Sequence, residues 1–301
     1  MIDICLLGTG GMMPLPGRHL TSMILRYKGH SILVDCGEGT QVAIRKYAWS
    51  MYSIDMICFT HLHGDHVAGI SGLLSSMTSE GRTEPVTIIG PKRIAEVVSK
   101  LCVVVGVSFE VKFHEIDSGR PIPFYDMTIR PFKVNHNILC YGYRFDLTRR
   151  PKFLPEKAEE LGIPRPLWSK LQQGEQVFHG CRRIDPEEVT GPQRKGLSFV
   201  YSTDTRPCEN LEKAARDVDL LIVEGIYGDE DKLGSAKEKK HMTSREAAEL
   251  SKRAGAKEVW LTHYSPSFQN QADYRDEIRA IYARVEFAYD GKSKTLSFPE
   301  P

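Results

Sequence analysis

The most constraining stretch of this chain is a short one. The apolar run 57–60, Ile57-Cys58-Phe59-Thr60, passes without a spacer into His61-Leu62-His63-Gly64-Asp65-His66. A run of that length bounded by turn chemistry reads as a β-strand. Its end therefore carries four ligand-type side chains within six residues. On an extended turn, residues i and i+2 face the same side, so His61 and His63 can reach one cation. Gly64 lets the backbone bend and aims Asp65 and His66 elsewhere. One histidine past a strand is usually a satisfied loop residue. Four such residues together are costly to group without a partner, and imidazole with carboxylate suits a divalent ion such as zinc.

Three more ligand-type residues repeat that position. His136 follows the run 129–134, Asp204 follows 199–202, and His263 follows 259–262. Each alone is an ordinary polar loop residue. Together they occur wherever a strand could deliver a ligand to one sheet edge. Further strand-length runs lie at 4–7, 22–27, 31–34, 198–202, 220–224 and 258–262. Helical spacing of apolar residues marks 66–77, 91–105, 244–253 and 272–284. This alternation predicts an α/β fold, a mixed sheet covered by helices.

The middle of the chain breaks the pattern. Residues 144–189 are charged and punctuated by proline, as in Arg149-Arg150-Pro151-Lys152, Pro155, Pro164 and Pro166. A short helix fits 156–161, but little there could build a core of its own. The segment reads as an inserted arm over 145–180, within one domain spanning 1–301. The seven cysteines are scattered, with no CxxC pair, which favours reduced thiols and a cytoplasmic setting. The apolar start, interrupted by Asp3, reads as a first strand rather than a signal peptide. No stretch approaches the ~18 apolar residues of a membrane span, so no membrane is expected. Lys and Arg total 40 against 39 Asp and Glu, a net charge of +1. That balance offers no general attraction to nucleic acid, though it does not bear on a local basic patch.

The HxHxDH form of 61–66, with Asp35-Cys36-Gly37-Glu38-Gly39 upstream and Asp204 and His263 downstream, resembles the metallo-β-lactamase superfamily. Gly8-Thr9-Gly10, Gly37-Glu38-Gly39-Thr40-Gln41, Thr203-Asp204-Thr205-Arg206-Pro207 and His241-Met242-Thr243-Ser244-Arg245-Glu246-Ala247-Ala248 narrow it. Together they resemble the tRNase Z (ribonuclease Z) family in its short bacterial form. The resemblance implies a four-layer αβ/βα sandwich and two Zn2+ per subunit. His61, His63 and His136 would hold one ion, Asp65, His66 and His263 the other, and Asp204 would bridge them. Asp35 would orient a ligand from behind. The implied activity is endonucleolytic removal of the 3′ trailer of precursor tRNA, with Asp65 accepting a proton and His241 supplying one to the leaving oxygen. A homodimer is implied as well. The alternative is another hydrolase of this fold, a small-substrate phosphodiesterase or a lactone or sulfate esterase.

The same resemblance assigns the arm to gripping the tRNA body, with Arg149, Arg150, Lys152, Lys157, Arg165 and Lys170 on phosphates. Arg165 stands where the family arm commonly has Gly before Pro. Near the start, the family loop Pro-x-Lys-x-Arg-Asn, which helps reject tRNA already carrying CCA, is here Pro14-Leu15-Pro16-Gly17-Arg18-His19. Arg18 is kept as a substrate contact, while Pro16 replaces Lys and His19 replaces Asn. Weaker or altered rejection of CCA ends is the expectation.

Overall fold

The computed structural model describes residues 1–117, 119–228 and 230–298. It divides into two compact units, one formed by Met1–Asp146 with Ser198–Ser297, the other by Leu147–Leu197 with Phe298.

The first unit is built on two seven-stranded sheets. One contains β1 (Ile2–Gly8), β2 (Ser22–Tyr27), β3 (His30–Val34), β4 (Ile54–Cys58), β5 (Val86–Gly90) and β6 (Val111–Glu115). The other contains β7 (Ile122–Phe124), β8 (Met127–Lys133) and β9 (Tyr141–Arg149). A short hairpin, β10 (Val177–His179) and β11 (Arg182–Ile184), forms a two-stranded sheet of its own. The second sheet then resumes with β12 (Arg194–Ser202), β13 (Leu220–Glu224), β14 (Val259–Thr262) and β15 (Val285–Phe287), and β16 (Ser293–Leu296) returns to the first. The orders are β16-β1-β2-β3-β4-β5-β6 and β15-β14-β13-β12-β9-β8-β7. In the first sheet β1 lies antiparallel to both β16 and β2, while β3 to β6 run parallel. In the second, β12 to β15 run parallel.

The strands read as they do because both faces are covered. All five residues of β13, Leu-Leu-Ile-Val-Glu, are buried. A strand buried on both sides shows a continuous apolar run rather than alternation. One face of the first sheet, with Leu7, Ile24, Leu33 and Ile57, packs against helical Ala43, Ile44, Leu73, Leu74, Ile94 and Val98. One face of the second, with Val200, Leu221, Val223 and Leu261, packs against Leu211, Ala247, Leu250 and Ile278. The inner faces meet where Tyr143 of β9 donates to the Phe59 carbonyl just past β4 at 2.6 Å, while within the second sheet Phe145 of β9 stacks on Phe199 of β12 with centroids 4.4 Å apart. The layers are helix, sheet, sheet, helix, the sandwich implied by the sequence.

The second unit departs from expectation. It holds helices Pro155–Glu160 and Arg165–Gln172, the β10–β11 hairpin and a 3-10 turn at Pro186–Val189. Ala158, Ile163, Leu171, Val177, Ile184 and Val189 form its own buried cluster, with Phe153, Leu161, Leu167 and Trp168 packed on it. The Trp168 indole N–H donates to the Ile163 carbonyl at 2.9 Å. The sequence concealed this core because its members are few, widely spaced and separated by prolines, so no short window is periodic. Among the described residues, no helix is long and apolar enough to cross a membrane.

Candidate metal centre

In parallel sheets, ligands gather beyond the carboxyl ends of the strands. Here Asp35 and His263 directly follow β3 and β14, His61 and Asp204 lie shortly beyond β4 and β12, and Glu224 is the last residue of β13. His136 follows β8, and Gly64 opens the one-turn helix Gly64–Val67 that carries Asp65 and His66. The structure brings all seven sequence-nominated ligand residues together, in two groups.

In the first group His61 Nε2 and His63 Nδ1 are 2.9 Å apart, and His63 Nδ1 and His136 Nε2 are 3.3 Å apart. His61 Nε2 and His136 Nε2 each lie 3.7 Å from Asp204 Oδ2. In the second group His66 Nε2 and His263 Nε2 are 3.2 Å apart, and both face Asp204 Oδ1, at 3.1 and 3.2 Å. Asp65 Oδ2 lies 3.6 Å from His263 Nε2 and 3.8 Å from His66 Nε2. The two oxygens of Asp204 thus address different groups. Asp204 Oδ1 and His263 Nδ1 are buried without a hydrogen bond, although two ring nitrogens flank the former. Imidazole nitrogens facing one another at these distances cannot all be acceptors without a cation among them. The donor set therefore fits divalent metal, three imidazoles on one side and two imidazoles with a carboxylate on the other, around a shared Asp204.

The electrostatics agree. Burial pushes His61 and His63 below the ordinary imidazole range, and His136 down to about 4. Burial opposes charge on His66 too, but Asp204 and Asp35 outweigh it and lift that group well above its ordinary value. Burial would raise Asp204 and Asp65, yet the surrounding histidines hold both well below the usual carboxylate range. Neutral imidazole and ionised carboxylate are the forms that ligate, so His61, His63, His136, Asp65 and Asp204 already hold the ligating form, whereas His66 must give up its proton when a cation binds between the same carboxylates.

Asp35 acts from behind the cluster. Fully buried, it accepts from the Thr60 amide at 2.8 Å and from the Thr60 hydroxyl, and it faces His66 Nδ1 at 2.9 Å. That contact turns His66 Nε2 toward Asp204. Asp35 and His263 both have φ of 59°, a left-handed conformation that costs a non-glycine residue about 1–2 kcal/mol.

His241 stands beside the shared Asp204, between His136 and His263, its Nδ1 2.9 Å from Glu224 Oε2 and 3.8 Å from Asp204 Oδ2. Burial would lower its pKa, but the Glu224 carboxylate overrides this and raises it to about 9. Its carbonyl accepts from Arg206 Nη1 at 2.6 Å, and Arg206 forks onto Glu246, which caps the helix Ser244–Ala254 through Thr243. Glu224 and Arg206 carry site roles that the sequence reading did not assign. Glu224 had a readable signal, a carboxylate closing an otherwise apolar strand, next to the sheet edge beyond which Asp204 and His263 lie.

The substrate-contact candidates are placed differently. The Arg18 guanidinium donates to the Phe268 carbonyl at 3.0 Å and lies over the Tyr264 ring, joining two loops beside the centre. In the second unit Arg150, Lys152, Lys157, Arg165 and Lys170 are exposed, while Arg149 is half-buried over the Phe298 ring. Cys36 and Cys58 are buried, and burial pushes both thiols well up, so neither is an activated nucleophile.

A family model for the Anti-Pycsar protein Apyc1 matches residues 2–149, and one for the beta-lactamase superfamily domain matches 186–264. Ribonuclease Z of Lachnoclostridium phytofermentans is 49% identical over 300 residues, 99% of each chain. Ribonuclease Z of Lachnospira eligens is 46% identical over 302 residues, 100% of this chain and 99% of that one. Among solved structures, human tRNase Z, short form, superposes with a TM-score of 0.70 at 22% identity, covering 98% of this chain and 100% of its own. Full-length relatives at such identity leave one conclusion: the chain belongs to the ribonuclease Z family.

Proposed function

We propose that this protein is a metal-dependent endoribonuclease that removes the 3′ trailer of precursor tRNA by phosphodiester hydrolysis. The observation that carries this reading is the buried convergence of five imidazoles on Asp204, with the Glu224–His241 pair beside it. His61, His63 and His136 would hold one zinc ion, and Asp65, His66 and His263 a second, with Asp204 shared. Bound there, two cations supply an acidified water and neutralise charge on the scissile phosphate. Asp65, whose Oδ2 lies 3.6 Å from His263 Nε2, would take the proton of the attacking water. His241, held protonated by Glu224, returns a proton to the leaving 3′-oxygen. Asp35 fixes the ring of His66 throughout.

The second unit supports a macromolecular substrate. Arg149, Arg150, Lys152, Lys157, Arg165 and Lys170 on a separately packed element would track phosphates of the tRNA body without reading bases. Arg18 contributes by holding the loops beside the centre. The protein acts in the cytoplasm, as a homodimer. The test is cleavage of a synthetic precursor tRNA with mapping of the product 3′ ends, with and without an encoded CCA, alongside metal analysis. Expected are a product cut at the trailer junction, metal near two per chain, and no cleavage by Asp65→Ala. Hydrolysis of a small phosphodiester without any tRNA cleavage would overturn the reading in favour of a small-substrate hydrolase.

A further inference from the structure

One carboxylate outside every motif above makes an unusual set of contacts. Asp290 lies between β15 and β16, and its Oδ1 accepts from the Thr9 amide at 2.9 Å and the Thr9 hydroxyl at 2.7 Å. Its Oδ2 accepts from the His19 amide at 2.6 Å. Both ends of the loop 9–19 are thereby fixed to a single side chain. The neck is completed by the Gly10 amide donating to the His19 carbonyl at 2.9 Å.

What the loop does depends on that neck. From it, the Met12 amide donates to Asp65 Oδ2 at 2.7 Å, the same oxygen that faces His66 and His263. A Cβ at Gly11 would lie 2.7 Å from the His263 ring, so the loop backbone packs directly on that imidazole. The Gly11 amide donates to the Tyr264 carbonyl at 3.0 Å, and the Tyr264 amide to the Thr9 carbonyl at 2.8 Å. Met12 itself has φ of 71°, a backbone shape that a methionine keeps only when its surroundings impose it.

We propose that Asp290 is a positioning residue for the nuclease reaction, acting through the loop 9–19 to aim Asp65. The inference rests on the nuclease reading above only for its choice of substrate. Asp65 can point its Oδ2 inward because the Met12 N–H holds it, and Met12 is placed because Asp290 closes the neck. A displacement of about 1 Å at a reacting group costs roughly 100-fold in rate, so loosening the neck reads out in turnover. Asp290→Asn keeps the shape but turns an NH2 group toward one of the donors. Asp290→Ala removes both acceptor oxygens and with them all three hydrogen bonds. Thr9→Val removes one donor and leaves the amide.

The experiment measures steady-state cleavage of precursor tRNA and hydrolysis of bis(p-nitrophenyl) phosphate by the metal-loaded protein, with thermal unfolding alongside. Expected for Asp290→Asn is a fall in kcat of about 10-fold or more on both substrates, with KM for the precursor nearly unchanged. Thr9→Val falls between it and the parent, and the unfolding temperatures of both stay near the parent value. Unchanged kcat overturns the proposal. So does a rise in KM with kcat preserved, which would make the loop a substrate grip instead. So does loss of activity that tracks loss of folded protein, which would make Asp290 a structural tie only. If the parent cleaves the small diester but no tRNA, the nuclease reading fails, while the small-diester measurements still decide the role of Asp290.

Discussion

Replacing Glu224 by Gln removes one charge and almost no volume. Glu224 is fully buried, with Oε1 accepting from the Thr205 amide and Oε2 facing His241 Nδ1 at 2.9 Å. Burial works against a proton on His241, and Glu224 more than reverses it, lifting the group from 6.5 to about 9. At about 1.4 kcal/mol per pH unit, that rise favours the imidazolium by about 3 kcal/mol, an order-of-magnitude figure. With Gln, an amide N–H meets Nδ1, and the stable pairing needs a neutral ring whose Nδ1 accepts. The acid for the leaving oxygen is then lost, and kcat should fall by roughly 100- to 10,000-fold. The stability consequence has a definite sign. A histidine raised in the folded state stabilises fully below 6.5, and that contribution disappears as pH climbs through about 9. The parent should therefore lose stability across that window, while Glu224→Gln should be flatter there. The assay is single-turnover cleavage of precursor tRNA between about pH 6 and pH 10, with thermal unfolding over the same range. A variant within about threefold of the parent, with the same alkaline limb, would refute the assignment of His241 as the acid.

Other outcomes follow from the same geometry. Asp204→Asn keeps the shape shared by the two imidazole groups but removes the charge, so metal content measured after dialysis should drop well below that of the parent. Full retention of metal would show that neither group needs the carboxylate. Replacing residues 148–196 by a short Gly-Ser linker should abolish tRNA cleavage and spare hydrolysis of bis(p-nitrophenyl) phosphate; an enzyme indifferent to the change would have no use for the second unit in recognition. Leu171→Ala empties a site only 1% exposed in the core of that unit and should cost about 2–5 kcal/mol there. Hydrogen exchange should then rise in 147–197 and stay slow in the sandwich, whereas a uniform rise would mean that the second unit has no separate stability.

How much of this was legible depended on whether a residue's role is written next to it. The ligands were readable because chemistry and position coincide: each sits just past a strand, and strands announce themselves as apolar runs. Strand 220–224 was recognised with its observed bounds because nothing polar interrupts it before Glu224. Strands β5, β6, β7, β15 and β16 were not singled out. β6 is largely exposed and polar, Val-Lys-Phe-His-Glu, and β7 and β15 span only three residues each. Helix 272–284 was expected as one element, yet a 3-10 turn at Gln271–Tyr274 precedes helix Arg275–Ile281, because local pattern does not set where the turn tightens. The core of the second unit was missed since six buried side chains spread over some thirty residues leave no periodic trace. Asp290 was invisible for a deeper reason. A lone aspartate in a turn has no signature, and its partners lie at the other end of the sequence.

That separation has a consequence in time. Thr9 and Asp290 are 281 residues apart, and β1 gains its second neighbour only from β16. A ribosome adding about 5–20 residues per second needs roughly 15–60 s to pass from one to the other. Through that interval β1 is an open edge, and the loop beside it has nothing to close its neck. His241 and His263 also emerge in the last part of the same interval. The ligand set is thus complete only once His263 has been made, and the neck of the loop beside it can close only after Asp290 follows.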